Sequence, residues 1–283
     1  MSQATGFFTD TTLCIGCKAC EVACKQWNEL PSDGFEFTGD SYDNTSELSG
    51  TTWRHVAFIE QNTADEAGVH SRWLMSSDVC KHCTNAGCLE ACPTGAIIRN
   101  EFESVFIQPD ICNGCGYCVV SCPFGVVDLI EKFDPHGSRY NLASLVEARR
   151  EENKTALQGS GGIAGKCTLC YDRQKVGFVP ACAKACPTDS IQFGNVDELR
   201  ERARKRVDTL TERGVAAQLY GADDVGGGVG PLNAFFLLTD RPETYNLPTA
   251  PVLPSTRQPA AYTAAAVTVL GLALAGWMIF RNE

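Results

Sequence analysis

Apolar and polar residues alternate over short runs along the chain, and this pattern predicts strands. Residues 53–60 and 73–76 are expected to form two short strands around a turn at Ala67 and Gly68. Residues 96–98 and 104–108 are expected to form a second hairpin. Further strand-like runs lie at 126–130, 190–194 and 234–239. These runs predict the β part of an α+β fold.

One region has a clear helical period. Its apolar residues follow a spacing of three or four: Val196, Leu199, Ala203, Val207 and Leu210. A helix is therefore predicted over 196–213, with Asn195 and Glu198 as its N-terminal cap and Gly214 at its end. A second helix is predicted at 142–150, inside a polar linker at 131–165.

The C-terminal part of the chain has a different composition. A proline-rich stretch at 242–259 leads to residues 260–280, which carry no charged side chain. About 20 apolar residues are enough to span a bilayer, and Tyr262 and Trp277 lie near the two ends, where interfacial aromatic residues belong. The pattern predicts one transmembrane helix at 260–280, with a buried core helix as the alternative.

Length and charge narrow the function classes. The 283 residues allow one large or two small domains, and a hydrophobic content of 44% allows a packed core. A formal net charge of −10 disfavours nucleic-acid binding, which requires a basic surface. The N-terminus has neither a basic segment nor an apolar one, so no signal peptide is expected.

The chemistry of the chain lies in its sixteen cysteines. They form four motifs of four: motif I with Cys14, Cys17, Cys20 and Cys24; motif II with Cys80, Cys83, Cys88 and Cys92; motif III with Cys112, Cys115, Cys118 and Cys122; motif IV with Cys167, Cys170, Cys182 and Cys186. Motif III is followed by Pro123 and has the C-x2-C-x2-C-x3-C-P spacing of bacterial ferredoxins. The cysteines therefore predict four [4Fe–4S] clusters bound through iron.

Two other interpretations of the cysteines fit less well. Disulfides are typical of small exported chains and do not explain the closely spaced triplets or the three Cys-Pro endings. Structural zinc prefers paired C-x2-C knuckles, a pattern that only motif IV approaches.

In ferredoxins of this type, the fourth cysteine of each motif ligates the cluster of a partner motif. Motifs II and III are separated by a short hairpin and are expected to pair, which leaves motif I to pair with motif IV. A sequential pairing of I with II and III with IV is the alternative. The nested pairing predicts these ligand sets: Cys14, Cys17, Cys20 and Cys186 for cluster 1; Cys167, Cys170, Cys182 and Cys24 for cluster 2; Cys80, Cys83, Cys88 and Cys122 for cluster 3; Cys112, Cys115, Cys118 and Cys92 for cluster 4.

This pairing predicts two nested ferredoxin-like units followed by the transmembrane helix. The expected divisions are an outer unit at 1–79 and 166–215, an inner unit at 80–130, the linker at 131–165, an extension at 216–259 and the helix at 260–280.

No catalytic constellation accompanies the cysteines. The histidines are scattered at His55, His70, His82 and His136. His82 lies between two cysteines but is expected to be a neighbour of the cluster or a surface residue, because four cysteines already fill its ligand positions. The glycine-rich stretch at 221–230 lacks a phosphate-binding signature and is expected to be a turn. The substrate is therefore expected to bind to another subunit.

Several segments resemble the four-cluster subunits of molybdopterin oxidoreductases: L-C-I-G-C-K-A-C-E-V-A-C at 13–24, C-K-H-C-T-N-A-G-C-L-E-A-C-P at 80–93, C-N-G-C-G-Y-C-V-V-S-C-P-F at 112–124 and K-C-T-L-C-Y-D-R at 166–173. Within that group, the chain is most similar to the iron–sulfur (beta) subunits of membrane-bound respiratory formate dehydrogenases. This closer resemblance rests on Gln26-Trp27-Asn28, Tyr42-Asp43-Asn44, the glycines at 226–228, R-P-E-T-Y-N-L-P at 241–248 and the C-terminal helix.

The resemblance implies partners. One is a catalytic subunit that holds molybdenum or tungsten on a bis-molybdopterin guanine dinucleotide, together with one further cluster. The other is a membrane cytochrome b that passes electrons to quinone. The resemblance also implies a membrane-anchored subunit on the outer, periplasmic face, although Arg257 and Arg281 flank the helix too evenly to choose between the outer and the cytoplasmic face.

Two other functions compete with this one. The first is the electron conduit of a polysulfide, thiosulfate or sulfoxide reductase, in which electrons run in the opposite direction. The second is a free soluble ferredoxin-type carrier, which the predicted membrane helix disfavours.

Overall fold

The computed structural model describes residues 4–31, 42–43, 45–65, 68–130 and 162–280. The strands are β1 Thr5–Asp10, β2 Arg54–Asp65, β3 Gly68–Val79, β4 Ile97–Arg99, β5 Val105–Ile107, β6 Asp128–Ile130, β7 Ile163–Gly165, β8 Ile191–Asn195, β9 Gln218–Tyr220 and β10 Ala234–Leu238. The helices are α1 Ala19–Trp27, α2 Gly87–Glu90, α3 Tyr117–Val120, α4 Tyr171–Lys175, α5 Ala181–Ala185, α6 Val196–Glu212 and α7 Gln258–Phe280. The predicted helix at 142–150 lies outside the described residues.

A four-stranded sheet joins distant parts of the chain in the order β8-β1-β10-β9. Strand β1 runs parallel to β10 and antiparallel to β8, so the N-terminus lies between two strands from the C-terminal half. Phe8 and Phe235 stack on one face with ring centroids 5.5 Å apart, and Leu199 and Ala203 of α6 complete that core. The sheet therefore includes two strands of the predicted extension at 216–259, β9 and β10, as well as β1 before the cysteine motifs and β8 after them.

The predicted hairpins are confirmed, with differences in length. Strands β2 and β3 pair continuously from Arg54 opposite Val79 to Asp65 opposite Gly68, well beyond the predicted 53–60 and 73–76. The extra residues are mostly polar, and pattern analysis misses them because they do not alternate with apolar ones. Strands β4 and β5 form the second hairpin as predicted. Strand β6 instead pairs with β7, in a stretch that the sequence assigned to the linker.

The predicted helix at 196–213 is confirmed as α6, and so is the capping role of Asn195. The Asn195 side chain accepts hydrogen bonds from the backbone N–H groups of Asp197 and Glu198, at 2.9 and 3.1 Å. This arrangement satisfies two of the free N–H groups at the start of the helix. Gly214 follows the helix in a left-handed conformation, with φ of 76°.

Helix α7 occupies the predicted C-terminal position. In the described part of the chain, however, no helix has the combination of length and apolar content that crossing a bilayer requires. The transmembrane helix predicted at 260–280 is therefore not confirmed. The α+β mixture of helices and strands is confirmed.

Candidate metal centres

The four cysteine motifs share one backbone feature. In each C-x2-C loop, the residue before the second cysteine has a left-handed conformation: Gly16 (φ 67°), His82 (φ 45°), Gly114 (φ 72°) and Leu169 (φ 55°). This conformation disfavours any residue with a Cβ by roughly 1–2 kcal/mol. Two of the four motifs nevertheless place a non-glycine residue there. The four C-x2-C loops therefore have the same backbone shape, although the spacing of the later cysteines differs between motifs. In the sequence, only the glycines of motifs I and III indicate this shape.

The first group of cysteines, set 1, combines two distant motifs. Cys14, Cys17 and Cys20 of motif I line a cavity together with Cys186 of motif IV. The hydroxyl oxygen of Ser77 lies 3.3 Å from the sulfur of Cys20. A loop of three cysteines is thus completed by a cysteine from a motif more than 160 residues later in the chain.

Two further cavities repeat this arrangement between motifs II and III. Set 3 is formed by Cys80, Cys83, Cys88 and Cys122, which line one cavity. Set 4 is formed by Cys92, Cys112, Cys115 and Cys118, which line another. The two motifs exchange their fourth cysteines across the short α2 and α3 helices, which pack against each other.

The remaining cysteines, Cys24, Cys167, Cys170 and Cys182, form set 2, and all four are buried. Burial, followed by the charges of Cys167, Cys182 and Cys170, raises the pKa of the Cys24 thiol well above its usual value. These four groups come together because α1, which ends motif I, packs against α5 of motif IV.

The chemistry of the four sets fits an iron–sulfur cluster. All sixteen cysteines lie in the described residues as free thiols. Burial and mutual repulsion raise the pKa of several of them, to about 11 for Cys20 and about 12 for Cys88. Four neighbouring thiols can therefore all lose their protons only if a cationic group balances the negative charge. The iron of a thiolate-bound cube provides that positive charge.

Among the described residues, no group of three His, Cys, Asp or Glu side chains converges as a single metal ion would require. A cube does not need that convergence, because each of its irons takes one thiolate.

Hydrogen bonds to sulfur distinguish the sets. The backbone N–H of Leu169 donates to the sulfur of Cys167 at 3.3 Å, and the N–H of Ala164 donates to that of Cys112 at 3.5 Å. In set 2, the side-chain amide of Asn28 lies 3.6 Å from the sulfur of Cys24. Such bonds to the sulfurs are among the groups that set the reduction potential of a cluster.

The sets follow one another in numerical order. The charge of Cys182 in set 2 contributes to the raised pKa of Cys20 in set 1. The charge of Cys80 in set 3 likewise contributes to the raised pKa of Cys167 in set 2. The charge of Cys118 in set 4 contributes in the same way to the raised pKa of Cys88 in set 3. The two end sets contain the exposed cysteines, Cys17 and Cys115. The arrangement is a row with a buried middle and two accessible ends.

His82 lies in the wall of the set 3 cavity, next to two of its cysteines. It is fully buried, and its Nδ1 accepts a hydrogen bond from the backbone N–H of Val105 at 3.1 Å. Burial, then the nearby charges of Lys166 and Arg99, lowers the pKa of His82 well below its usual value. The histidine is therefore a neutral neighbour of the cysteines, one of the two positions that its sequence context predicted.

Comparison with known proteins identifies the family. A family profile described as a 4Fe-4S dicluster domain matches residues 71–135 and 151–196, and a second profile with the same description matches residues 13–96. The chain is 39% identical over 241 residues to the "Formate dehydrogenase iron-sulfur subunit" of Haemophilus influenzae, covering 84% of this chain and 66% of that protein. It is 37% identical over 252 residues to the "Formate dehydrogenase-O iron-sulfur subunit" of Escherichia coli, covering 87% of this chain and 72% of that protein.

The chain belongs to the family of formate dehydrogenase iron–sulfur subunits. Membership in this family confirms the resemblance seen in the sequence and gives the chain an electron-transfer role rather than a catalytic one. The chain spans about two thirds of the length of the formate dehydrogenase subunits from Haemophilus influenzae and Escherichia coli. It is also 32% identical over 202 residues to the B subunit of the anaerobic dimethyl sulfoxide reductase of Escherichia coli, covering 71% of this chain and 78% of that protein.

Two buried cations at these sites, Arg54 and Lys166, pair with no carboxylate among the described residues and were not indicated by the sequence. Arg54 begins a strand and Lys166 precedes Cys167, and neither position has a pattern that predicts burial. Both side chains lie beside cysteines of more than one set.

Proposed function

We propose that the chain is the electron conduit of a formate dehydrogenase complex and holds four [4Fe–4S] clusters, one in each set. The observation that carries this proposal is the set of three cavities in which a three-cysteine loop meets the fourth cysteine of another motif. The clusters supply one-electron chemistry. The protein contributes their order, their burial and the hydrogen bonds to their sulfurs.

The ligand sets proposed are those that the nested pairing predicts. Cluster 1 is assigned to Cys14, Cys17, Cys20 and Cys186, cluster 2 to Cys24, Cys167, Cys170 and Cys182, cluster 3 to Cys80, Cys83, Cys88 and Cys122, and cluster 4 to Cys92, Cys112, Cys115 and Cys118. The corresponding domains are an outer ferredoxin-like unit at 1–79 and 166–215, an inner unit at 80–130, and the segments 131–165, 216–259 and 260–280.

The two ends of the row are proposed to face different partners. Ile15 and Val22 are exposed beside set 1, and Tyr117 and Val120 are exposed beside set 4. Helix α2, which carries Cys88 of set 3 and is followed closely by Cys92 of set 4, packs against the 3-10 turn Pro254–Arg257 that leads into α7. Electrons would therefore enter at set 1 from a molybdenum or tungsten catalytic subunit and leave at set 4 towards a membrane cytochrome b and quinone.

Helix α7 is proposed to hold the chain at the membrane by packing beside the membrane subunit. This proposal is supported by the exposure of apolar side chains on α7. The exposed fraction of Val267, Leu272 and Tyr262 is 70% in each case. No charged residue lies between Gln258 and Phe280. By resemblance to the family, the cysteine-containing part would lie on the outer, periplasmic face.

The first test measures the clusters and the reaction together. The complex is purified under anaerobic conditions, and iron and acid-labile sulfide are measured per chain. About sixteen iron atoms are expected, because each of four cubes holds about four, and formate should reduce quinone. A value near eight, stoichiometric zinc, or a complex that does not oxidise formate would contradict the proposal.

The second test removes residues 259–283, which contain none of the sixteen cysteines. The truncated complex should still contain its iron and reduce an artificial dye with formate. Quinone reduction should fall strongly, because losing the helix lowers the effective concentration of the two redox partners. Full quinone reduction retained in washed membranes would show that α7 is not needed for delivery.

A reductase conduit is the second candidate, and the 32% identity to a dimethyl sulfoxide reductase subunit favours it specifically. The order of the sets suits electron flow in either direction. The substrate of the purified complex distinguishes the two candidates. Formate oxidation with quinone supports the first, whereas reduction of a sulfoxide, polysulfide or thiosulfate with quinol supports the second.

A further inference from the structure

Two buried cations stand out because they lack the carboxylate partner that a buried charge normally has. The exposed fractions of Arg54 and Lys166 are 1% and 2%. Neither is paired with an aspartate or glutamate among the residues that the structure describes. An uncompensated charge in a protein interior is costly, so each residue requires another source of negative charge.

Lys81 provides the comparison. It is equally buried, at 1% exposure, but its ammonium group contacts the Asp78 carboxylate and donates to the carbonyl of Val79 at 2.8 Å. It is a conventional buried ion pair. Arg54 and Lys166 also lie beside cysteines of the candidate metal centres, but no carboxylate among the described residues pairs with them.

The guanidinium of Arg54 is fixed by contacts with neighbouring residues, but two of its nitrogen atoms have no hydrogen-bond partner among the described residues. It begins β2 directly opposite Val79, and its guanidinium lies 4.8 Å from the centre of the Phe7 ring. Its Nη1 donates to the hydroxyl oxygen of Ser77 at 3.0 Å, and that oxygen lies 3.3 Å from the sulfur of Cys20. Its Nε and Nη2 are buried and have no hydrogen-bond partner within the described ranges.

The charges that surround Arg54 come from two sets. Burial opposes ionisation of the guanidinium, but Cys182, Cys20, Cys167 and Cys24 outweigh it and raise its pKa above the usual value. Cys20 belongs to set 1 and the others belong to set 2. Arg54 therefore lies at the junction of these two sets.

Lys166 occupies the next junction. Its ammonium donates to the carbonyl oxygens of Val105 and Cys167, at 2.5 and 3.1 Å. Val105, whose carbonyl oxygen accepts from Lys166, lines the set 3 cavity together with Cys80 and Cys88. Cys167 belongs to set 2, whereas Cys80 and Cys88 belong to set 3.

We infer that Arg54 and Lys166 are positioning residues that fix a positive charge at the two inner junctions of the row and raise the reduction potentials of the clusters they face. This inference rests on the proposed function. A thiolate-bound cube is an anion, and an added electron makes it more negative. A fixed cation in a low-dielectric interior favours that reduced form, and the same cation weakens the repulsion between adjacent anionic centres.

The test uses the complete anaerobic complex and replaces each cation by an uncharged side chain of similar length, as Arg54→Met and Lys166→Met. The midpoint potentials are measured by redox titration with paramagnetic signals assigned to each cluster. At a fixed potential, the ratio of reduced to oxidised cluster should fall on the order of tenfold, or about 59 mV for one electron. Clusters 1 and 2 should shift in Arg54→Met, and clusters 2 and 3 in Lys166→Met.

Charge-preserving variants separate this effect from a purely structural role. Arg54→Lys and Lys166→Arg should restore most of the potential. Arg72→Met is the matched control, because Arg72 lies on the exposed part of β3 and pairs with Asp240 away from the sets. It should leave all four potentials unchanged.

Iron content decides how the outcomes are interpreted. Wild-type complex without about sixteen iron atoms would contradict the proposed function itself. Neutral variants with full iron and unchanged potentials would overturn the inference alone. If a methionine variant loses iron, Arg54→Gln and Lys166→Gln replace it under the same criterion, because their amides can still donate hydrogen bonds.

Discussion

Two regions of the molecule are stabilised in different ways. The sheet (β8, β1, β10 and β9 with α6) has an apolar core in which Phe8 and Phe235 are almost completely buried. The cysteine region (residues 14–24, 80–130 and 162–187) contains helices of only four or five residues after α1, such as α2 and α5. Short helices are marginal by themselves. The cysteine region has an apolar core of its own, which includes Val105, Ile130 and Ile163. We therefore expect apolar burial alone to stabilise the sheet, whereas the cysteine region should need ligand binding in addition.

Removal of iron is expected to produce the largest contrast between the two regions. Without iron, the sixteen cysteine side chains lack the cations that would compensate the charge of their thiolates. Metal binding by such sites is coupled to folding. Amide hydrogen exchange should lose protection throughout the cysteine region, whereas β10 and α6 should keep theirs. Equal loss in both regions would show that the sheet and the cysteine region form one cooperative unit.

The converse change is Phe235→Ala in the sheet. Phe235 is fully buried against Phe8 and α6, and a Phe→Ala change of this kind costs about 3–5 kcal/mol. Denaturant unfolding measures the loss, and Val215→Ala, at a position 38% exposed, is the control. The cluster potentials should stay unchanged in any variant that remains folded. A shift in those potentials would contradict the separation of the two regions.

A pair of glycine variants gives a smaller effect inside the cysteine region. Gly114 and Gly95 both have positive φ, at 72° and 69°, but a Cβ on Gly114 would lie 2.1 Å from the carbonyl oxygen of Gly162, whereas a Cβ on Gly95 meets open space. Gly95→Ala should therefore cost only the backbone strain, roughly 1–2 kcal/mol.

Gly114→Ala should cost more than Gly95→Ala and should also disturb the signal of cluster 4, because Gly114 lies between Cys112 and Cys115. Unfolding measurements and iron content on the two variants check this difference. Equal effects would mean that the loop of motif III can move away from Gly162 without consequence.

The two regions also differ in how well the sequence predicts them. The cysteine motifs are local patterns, so their spacing was sufficient to indicate iron–sulfur clusters, and the short apolar runs between them were sufficient to indicate the hairpin of β4 and β5. Strand β1 was not predicted, because T-G-F-F-T-D has no alternation and its burial depends on β8 and β10 from the far end of the chain. Arg54 escaped prediction for the same reason: its burial between two sets depends on contacts with Phe7 and Ser77.

The most direct test of the whole account is Cys186→Ser, assessed by iron content and assigned paramagnetic signals. Cys186 lines the set 1 cavity with Cys14, Cys17 and Cys20, although it belongs to motif IV. The account predicts that the signal of cluster 1 is lost or altered, whereas the signal of the cluster assigned to Cys167, Cys170, Cys182 and Cys24 survives. Loss confined to that second cluster, with cluster 1 intact, would contradict the nested exchange of cysteines on which the proposed conduit depends.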